Sequence, residues 1–338
     1  DAGAPDGNAP AWIEADELAW LDTVELPPFD AGDAALASMT APASPLAGEA
    51  AAAAASTGTS TAAPLADCVV WLERNYRFGL DSPIGRLSLA IRRGDVQAAL
   101  DALPADESAA ASFHEDAGDA LASSTVERLA RRFGAYLDAL RDALAAPVPD
   151  PLPLFDALNR FRILCATRSG SRGAEHVNAL VAAHVRHAAR VPLAVGAHWF
   201  TGRPIMVTRN DYALGLFNGD IGIALPDAQG ELLVHFPDAT AAGGFRAIAP
   251  VRLPRHETAF AMTVHKSQGS EFDAVLVMLP QQRSRVLTRE LLYTAITRAR
   301  RGVALVADPP VLEQAIATPT VRHSGLLARL AEEEGQRG

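Results

Sequence analysis

Lysine is nearly absent from this chain. Of its 338 residues only Lys266 is a lysine, and arginine supplies every other basic side chain. A P-loop requires G-x-x-x-x-G-K-[ST], in which the lysine pairs the β- and γ-phosphates and the hydroxyl holds Mg²⁺. Lys266 follows His265, so the chain contains no P-loop. Nor does an Asp-Glu pair close an apolar strand to serve as a magnesium-holding acid. Cysteine is scarce too: Cys68 and Cys165 make neither a disulfide framework nor a zinc site, and read as two buried thiols in a reducing cytoplasm. Aromatics are only 6% of the residues while alanine is abundant, which favours α/β or α over all-β. No apolar run is long enough to cross a bilayer, and "DAGAPDGNAP" has no signal-peptide character. The first residue is not methionine, so a piece of something longer is expected. A formal net charge of −10 argues against coating DNA by charge alone, but not against a local basic groove. There is no Ser/His/Asp elbow, G-x-G-x-x-G fingerprint, metal-ligand cluster or nuclease carboxylate cluster, and His184 and His187 read as surface residues.

The chain that is present divides by texture. Residues 1–66 are rich in Ala, Ser, Thr, Pro and Gly, and read as a low-complexity, disordered linker or insertion with one short acidic helix. From 67 to 195 the pattern is α/β. "CVVWL" is a strand or helix end; "SPIGRLSLAIRRGD" is a helix with Ser82 as N-cap, Pro83 as first residue and Gly94 beyond its end. Residues 108–146 are expected to be mainly helical. "RFRILCAT" is a strand, followed by a turn and the helix "AEHVNALVAAHVRHAA". Residues 196–252 form short β runs, most simply a small inserted barrel. Helix–strand texture returns over 253–338, with "AVLVMLP" and "VALVAD" as strands and "TRELLYTAITRARRG" as a helix closed by Gly302.

Four segments carry candidate chemistry. In "TVHKSQGSEF", Thr263, His265, Lys266 and Ser267 can bond phosphate oxygens, and Gln268, Gly269 and Glu271 sit at a turn where a nucleotide could rest. Taken singly, each is equally a solvated turn residue. In "LLYTAITRARRG", a guanidinium held on a rigid helix suits an arginine finger, while Arg300 and Arg301 suit a basic helix end complementing the dipole. "LERNYRFG" sets Arg74 and Arg77 around an Asn-Tyr pair, on residue types no more than a surface loop would show. In "TRNDYALGLFNGDIG", Asn218-Gly219 is a tight turn; Arg209, Asn210 and Asp211 before it either touch nucleic acid, brace the domain, or do plain hairpin chemistry.

Together these segments resemble motifs of the superfamily-one DNA helicases: "TVHKSQGSEFD" and "LLYTAITRARRG" are similar to motifs V and VI, and "LERNYRFG" to motif IV. The added "RPIMVTRNDYALGLFNGDIGIAL" narrows the resemblance to the alpha-subunit (RecD) family of exodeoxyribonuclease V, over roughly residues 66–330. The resemblance implies a RecA-like parallel-sheet second motor domain with an inserted SH3-like barrel. It implies that Arg298 and Arg77 contact the γ-phosphate of ATP, that Gln268, Gly269 and Glu271 lie on the nucleotide side, and that Thr263, His265 and Lys266 lie nearer single-stranded DNA. It implies ATP and Mg²⁺ as cofactors, 5′-to-3′ movement, and RecB and RecC as partners. The missing P-loop leaves half an ATPase site, so the chain alone should hydrolyse essentially no ATP. The other reading is a non-catalytic module docking onto those partners.

Overall fold

A computed structural model describes residues 79, 81–106, 108–191, 199–241, 243–282 and 284–320. The expectations for 1–66, "CVVWL", Arg74 and Arg77 fall outside the described residues.

The first sheet has five parallel strands in the order β1-β10-β9-β2-β8. These are β1 Ala111–Glu115, β2 Phe161–Cys165, β8 Ala261–Thr263, β9 Phe272–Met278 and β10 Ala299–Ala307. Side chains alternate between two cores, as strand geometry requires. Val275, Val277, Val303 and Leu305 face one core, with α1 (Pro83–Arg93), α2 (Val96–Asp101), α7 (Arg289–Ile296) and α8 (Pro309–Ala317). Leu276, Met278, Ala304 and Val306 face the other, with α3 (Ser123–Arg132), α4 (Gly134–Ala145), α5 (Leu152–Arg160) and α6 (Ala174–Ala189). Helices on both faces make this a doubly wound α/β body. Such burial explains why β2 reads as an unbroken apolar run apart from Arg162.

Helix α1 follows its sequence signals. The Ser82 hydroxyl accepts from the Gly85 N–H at 3.0 Å, and Gly94 closes the helix in the left-handed region. Two expectations are corrected. Within 108–146, residues Ala111–Glu115 form edge strand β1 rather than helix. Its Ser112 and His114 are buried polar side chains, so the strand lacks the apolar alternation that would mark it. The segment "TRELLYTAITRARRG" is also not one helix: α7 stops at Ile296, and Ala299 already pairs with Phe272 in β10. The same apolar spacing runs on from Leu292 and Ile296 into Ala299, now buried by the sheet, so periodicity could not locate the break.

The second sheet is antiparallel, in the order β6-β5-β4-β3-β7. It comprises β3 Pro204–Val207, β4 Ile221–Pro226, β5 Leu232–Pro237, β6 Phe245–Ile248 and β7 His256–Thr258. The last strand lies beyond residue 252, where the change of texture had been expected to end. Strand β4 is buried on both faces: Ile223 and Leu225 join the core of α3–α6, and Ala224 joins the sheet's own core. Gly222 has no substitute there, because a Cβ would come within 2.7 Å of Phe236 and Val234.

Residues 258–261 carry the chain straight from β7 into β8, and three polar side chains grip them. Asn178 on α6 donates to the carbonyls of Thr258 (2.8 Å) and Ala261 (2.9 Å) and accepts from the Ala261 N–H (2.8 Å). Arg162 on β2 donates to the Ala259 carbonyl at 2.6 Å, and Arg203 to the Thr258 hydroxyl at 3.1 Å. Buried backbone groups need partners, and here side chains supply what neither sheet does.

Candidate functional site

Strand β8 is only three residues long and ends in a 3-10 turn, His265–Ser267. The Thr263 hydroxyl accepts from the Lys266 N–H at 3.4 Å, and the Ser267 hydroxyl donates to the Val264 carbonyl at 2.7 Å. Gly269 then turns the chain with φ +87°, a conformation that favours glycine. The outcome is a compact knuckle with His265, Lys266, Gln268, Gly269 and Ser270 exposed and Ser267 buried. This corrects one expectation: the Ser267 side chain caps the turn from inside and is closed to a phosphate.

Lys266 reaches across to the second sheet. Its ammonium lies 2.7 Å from Glu257 on β7, both side chains remaining about a third or a quarter exposed at 32% and 25%. A pair this open contributes little stability, and the ammonium has donors to spare for a second anion. Arg298 sits in the turn between α7 and β10, and its guanidinium donates to the carbonyls of Thr294 (3.1 Å) and Ser270 (3.3 Å). The Arg298 carbonyl in turn accepts from the Phe272 N–H at 2.9 Å. Arginine and knuckle are therefore tied together. Two residues on, Arg300, in the irregular start of β10, pairs with Glu271 at 3.1 Å.

A cleft of about 510 Å³ opens beside the knuckle, lined among others by Arg160, Arg162, Lys266, Glu271, Asp273 and Arg300, with Gly219 from the antiparallel sheet. Arg162 is its most unusual wall. The side chain is 1% exposed, stands 5.0 Å from the Phe272 ring, and has no hydrogen-bond partner at Nε. Burial lowers its pKa to about 10.

Of the expected site residues, Thr263, His265, Lys266, Gln268, Gly269, Glu271 and Arg298 gather around this knuckle. Asn210 does not. It lies on the loop between β3 and β4, where its side-chain oxygen accepts from the Asn218 N–H at 2.8 Å. That loop nevertheless reaches the cleft through Gly219. Sequence reasoning missed Glu257, Asp273 and Arg162. For the last, the signal was a lone charge inside the apolar run "FRILC".

Residues 258–306, from the end of β7 through most of β10, match the family described as UvrD-like helicase C-terminal domain. Over this stretch the chain is similar to the C-terminal domain of UvrD-like helicases. The chain is 40% identical to the RecBCD enzyme subunit RecD of Mycolicibacterium smegmatis over 263 residues, which is 78% of this chain and 44% of that protein. To RecD of Haemophilus influenzae it is 34% identical over 283 residues, covering 80% and 42%. The ATP-dependent RecD2 DNA helicase of Deinococcus radiodurans matches at 34% over 140 residues, covering 41% and 19%. Among solved structures, Bacteroides Pif1 bound to single-stranded DNA aligns with 61% of this chain and 55% of its own, at 18% identity and a TM-score of 0.30. Together these matches support a likeness to the C-terminal part of RecD, and the chain spans less than half the length of the curated relatives named here.

Proposed function

We propose that this chain is one half of an ATP-dependent, 5′-to-3′ DNA motor subunit of the exodeoxyribonuclease V type, acting in the cytoplasm on double-strand ends for recombination. Its parallel-sheet body is the second motor domain expected over 67–195 and 253–338, and its antiparallel sheet is the SH3-like insertion expected over 196–252, with its last strand reaching Thr258. The carrying observation is that Arg298 is hydrogen-bonded to the knuckle that holds Gln268, Gly269 and Glu271. A guanidinium fixed this way suits an arginine finger on the γ-phosphate, with Arg77 as its second cation. Gln268, Gly269 and Glu271 would line the nucleotide side; Thr263, His265, Lys266 and Asn210 would face single-stranded DNA.

Among the described residues no three His, Cys, Asp or Glu side chains gather to hold a metal. In this reading a P-loop-bearing domain holds Mg²⁺ together with the phosphates. A second reading, docking onto RecB- and RecC-like partners, has an observation of its own. Leu144, Val148 and Leu152 expose apolar surface at the corner between α4 and α5, at 39%, 65% and 51%. The two readings can hold in one chain.

The test is DNA-stimulated ATP hydrolysis by a polypeptide joining this chain to its P-loop domain. Arg298→Ala should cut the rate by roughly 10³-fold or more while leaving the fold intact. A rate within a few-fold of the unsubstituted protein removes the arginine-finger role.

A further inference from the structure

We propose that Tyr212 and Phe217 form a stacking platform for the bases of single-stranded DNA as it enters the cleft beside Lys266, an inference that rests on the single-strand reading above. These two are the aromatic members of the exposed large apolar side chains among the described residues, at 80% and 47% exposure. They also touch each other edge to face, with ring centroids 6.0 Å apart at 78°. Two large apolar rings exposed side by side are more informative than a single exposed apolar side chain.

The loop that holds them is built. Asp211 and Leu216 exchange backbone hydrogen bonds at 2.7 and 3.0 Å, and Leu216 is wholly buried beneath. Arg246 donates to the carbonyls of Leu214 and Gly215 at 2.5 and 3.2 Å. The acids of the loop are turned inward to this task. The Asp211 carboxylate accepts from the Leu214 N–H at 3.0 Å, and that of Asp220 from the Phe217 N–H at 2.8 Å. Rings on a pre-ordered loop lose little conformational entropy when a base stacks on them.

The surroundings select the occupant. Arg209 is exposed on the same loop, and exposed Arg255 is tied next to it by the Thr208 hydroxyl, which donates to the Arg255 carbonyl at 2.9 Å. Gly219, two residues after Phe217, lines the same cleft as Lys266 and Arg160. Aromatic faces beside exposed arginines, next to a cleft whose walls set Arg160, Arg162, Lys266 and Arg300 among Asp156, Glu271 and Asp273, match the pairing of base stacking and phosphate attraction that single strands use. Every base offers a π-face, so the contact would be indifferent to sequence.

The experiment measures binding of a fluorescein-labelled oligothymidylate to the full 338-residue chain, with photocrosslinking of a 5-iodouracil version mapped by peptide mass. Tyr212→Ala with Phe217→Ala should weaken binding by roughly ten-fold or more, Tyr212→Phe should recover most of the single-site loss, and crosslinks should fall on these rings. Lys266→Ala is the separate arm, reporting on the strand reading itself. If Lys266→Ala weakens binding but the double variant stays within two-fold and no crosslink reaches the loop, the platform is wrong and the strand reading survives. If the unsubstituted chain neither binds nor crosslinks, both fall. A double variant that alters only self-association, seen by sedimentation, assigns the rings to a protein contact and overturns the proposal.

Discussion

The two sheets solve opposite problems. In the parallel sheet the strands are covered on both faces, and β2 is buried at all five positions. In the antiparallel sheet only β3 and β4 are so covered, and β6 exposes or half-exposes three of its four residues. In the parallel sheet the candidate chemistry gathers mainly where strands end or where a buried charge is held: the knuckle after β8, the turn before β10, and Arg162. The antiparallel sheet can place polar and aromatic side chains out in water along its loops. The difference teaches where to look for function in each: at strand ends in the first, on loop tips in the second. The 258–261 segment, gripped by Asn178, Arg162 and Arg203, links the two sheets, alongside the packing of β4 against α3–α6.

Several substitutions break or sharpen that contrast. The largest effect is expected inside the parallel body. Arg172 and Asp116 are each 1% exposed and 2.6 Å apart, with Arg172 also donating to the Gly118 carbonyl at 3.0 Å. Removing one partner strands a buried charge, so Arg172→Ala should cost about 3–5 kcal/mol by urea unfolding. Adding an apolar replacement for Asp116 should return much of that loss; no recovery would mean that the pair acts through packing alone.

Next comes the joint. Asn178→Ala leaves three backbone groups, two of them in buried hydrogen bonds, without their side-chain partner, at a cost of about 1–3 kcal/mol. Hydrogen exchange should quicken at Ala261 before it does at β9. Uniform loosening of both sheets would show that Asn178 does not act locally.

A pH effect should favour the antiparallel sheet as the weaker element. Burial lowers the pKa of His235 and His256 there, and of His184 on α6. A depressed folded-state pKa gives stability that is present above the unfolded value of about 6.5 and lost as pH falls below it. The urea midpoint should therefore drop between pH 7 and pH 5, and His256→Gln should shrink the drop. The smallest effect belongs to the Lys266–Glu257 pair. Glu257→Gln should change stability by less than about 1 kcal/mol, as open ion pairs do, while freeing Lys266 to hold DNA more tightly. A large stability loss would make the lone lysine a structural strut.

Much of this was legible in the sequence. Helix α1 carried both of its caps in its residue types, and the buried strands β2 and β9 read as apolar runs because each face meets a helix layer. The knuckle was legible because polar groups interrupt two apolar stretches around Lys266. What stayed hidden depended on tertiary context. Strand β1 buries Ser112 and His114, and so mimics a polar segment. The end of α7 is set by Thr297, whose hydroxyl donates to the Thr294 carbonyl at 3.1 Å, and by the pairing of Ala299 with β9, which no local pattern encodes. Ser267 had the right chemistry for a phosphate, yet its hydroxyl turns inward to cap the turn. Asn178 and Glu257 act on residues far along the chain or on another sheet, so spacing alone could not find them.

The central claim is that the ATP site is composite and that this chain holds only the arginine half. ATP hydrolysis by the 338-residue chain, with saturating single-stranded DNA and then with a P-loop domain supplied, tests it most directly. No turnover above background is expected for the chain alone, and DNA-stimulated, Arg298-dependent turnover once the P-loop domain is present. Turnover by the chain alone at a comparable rate would contradict it and require a nucleotide anchor other than a lysine P-loop.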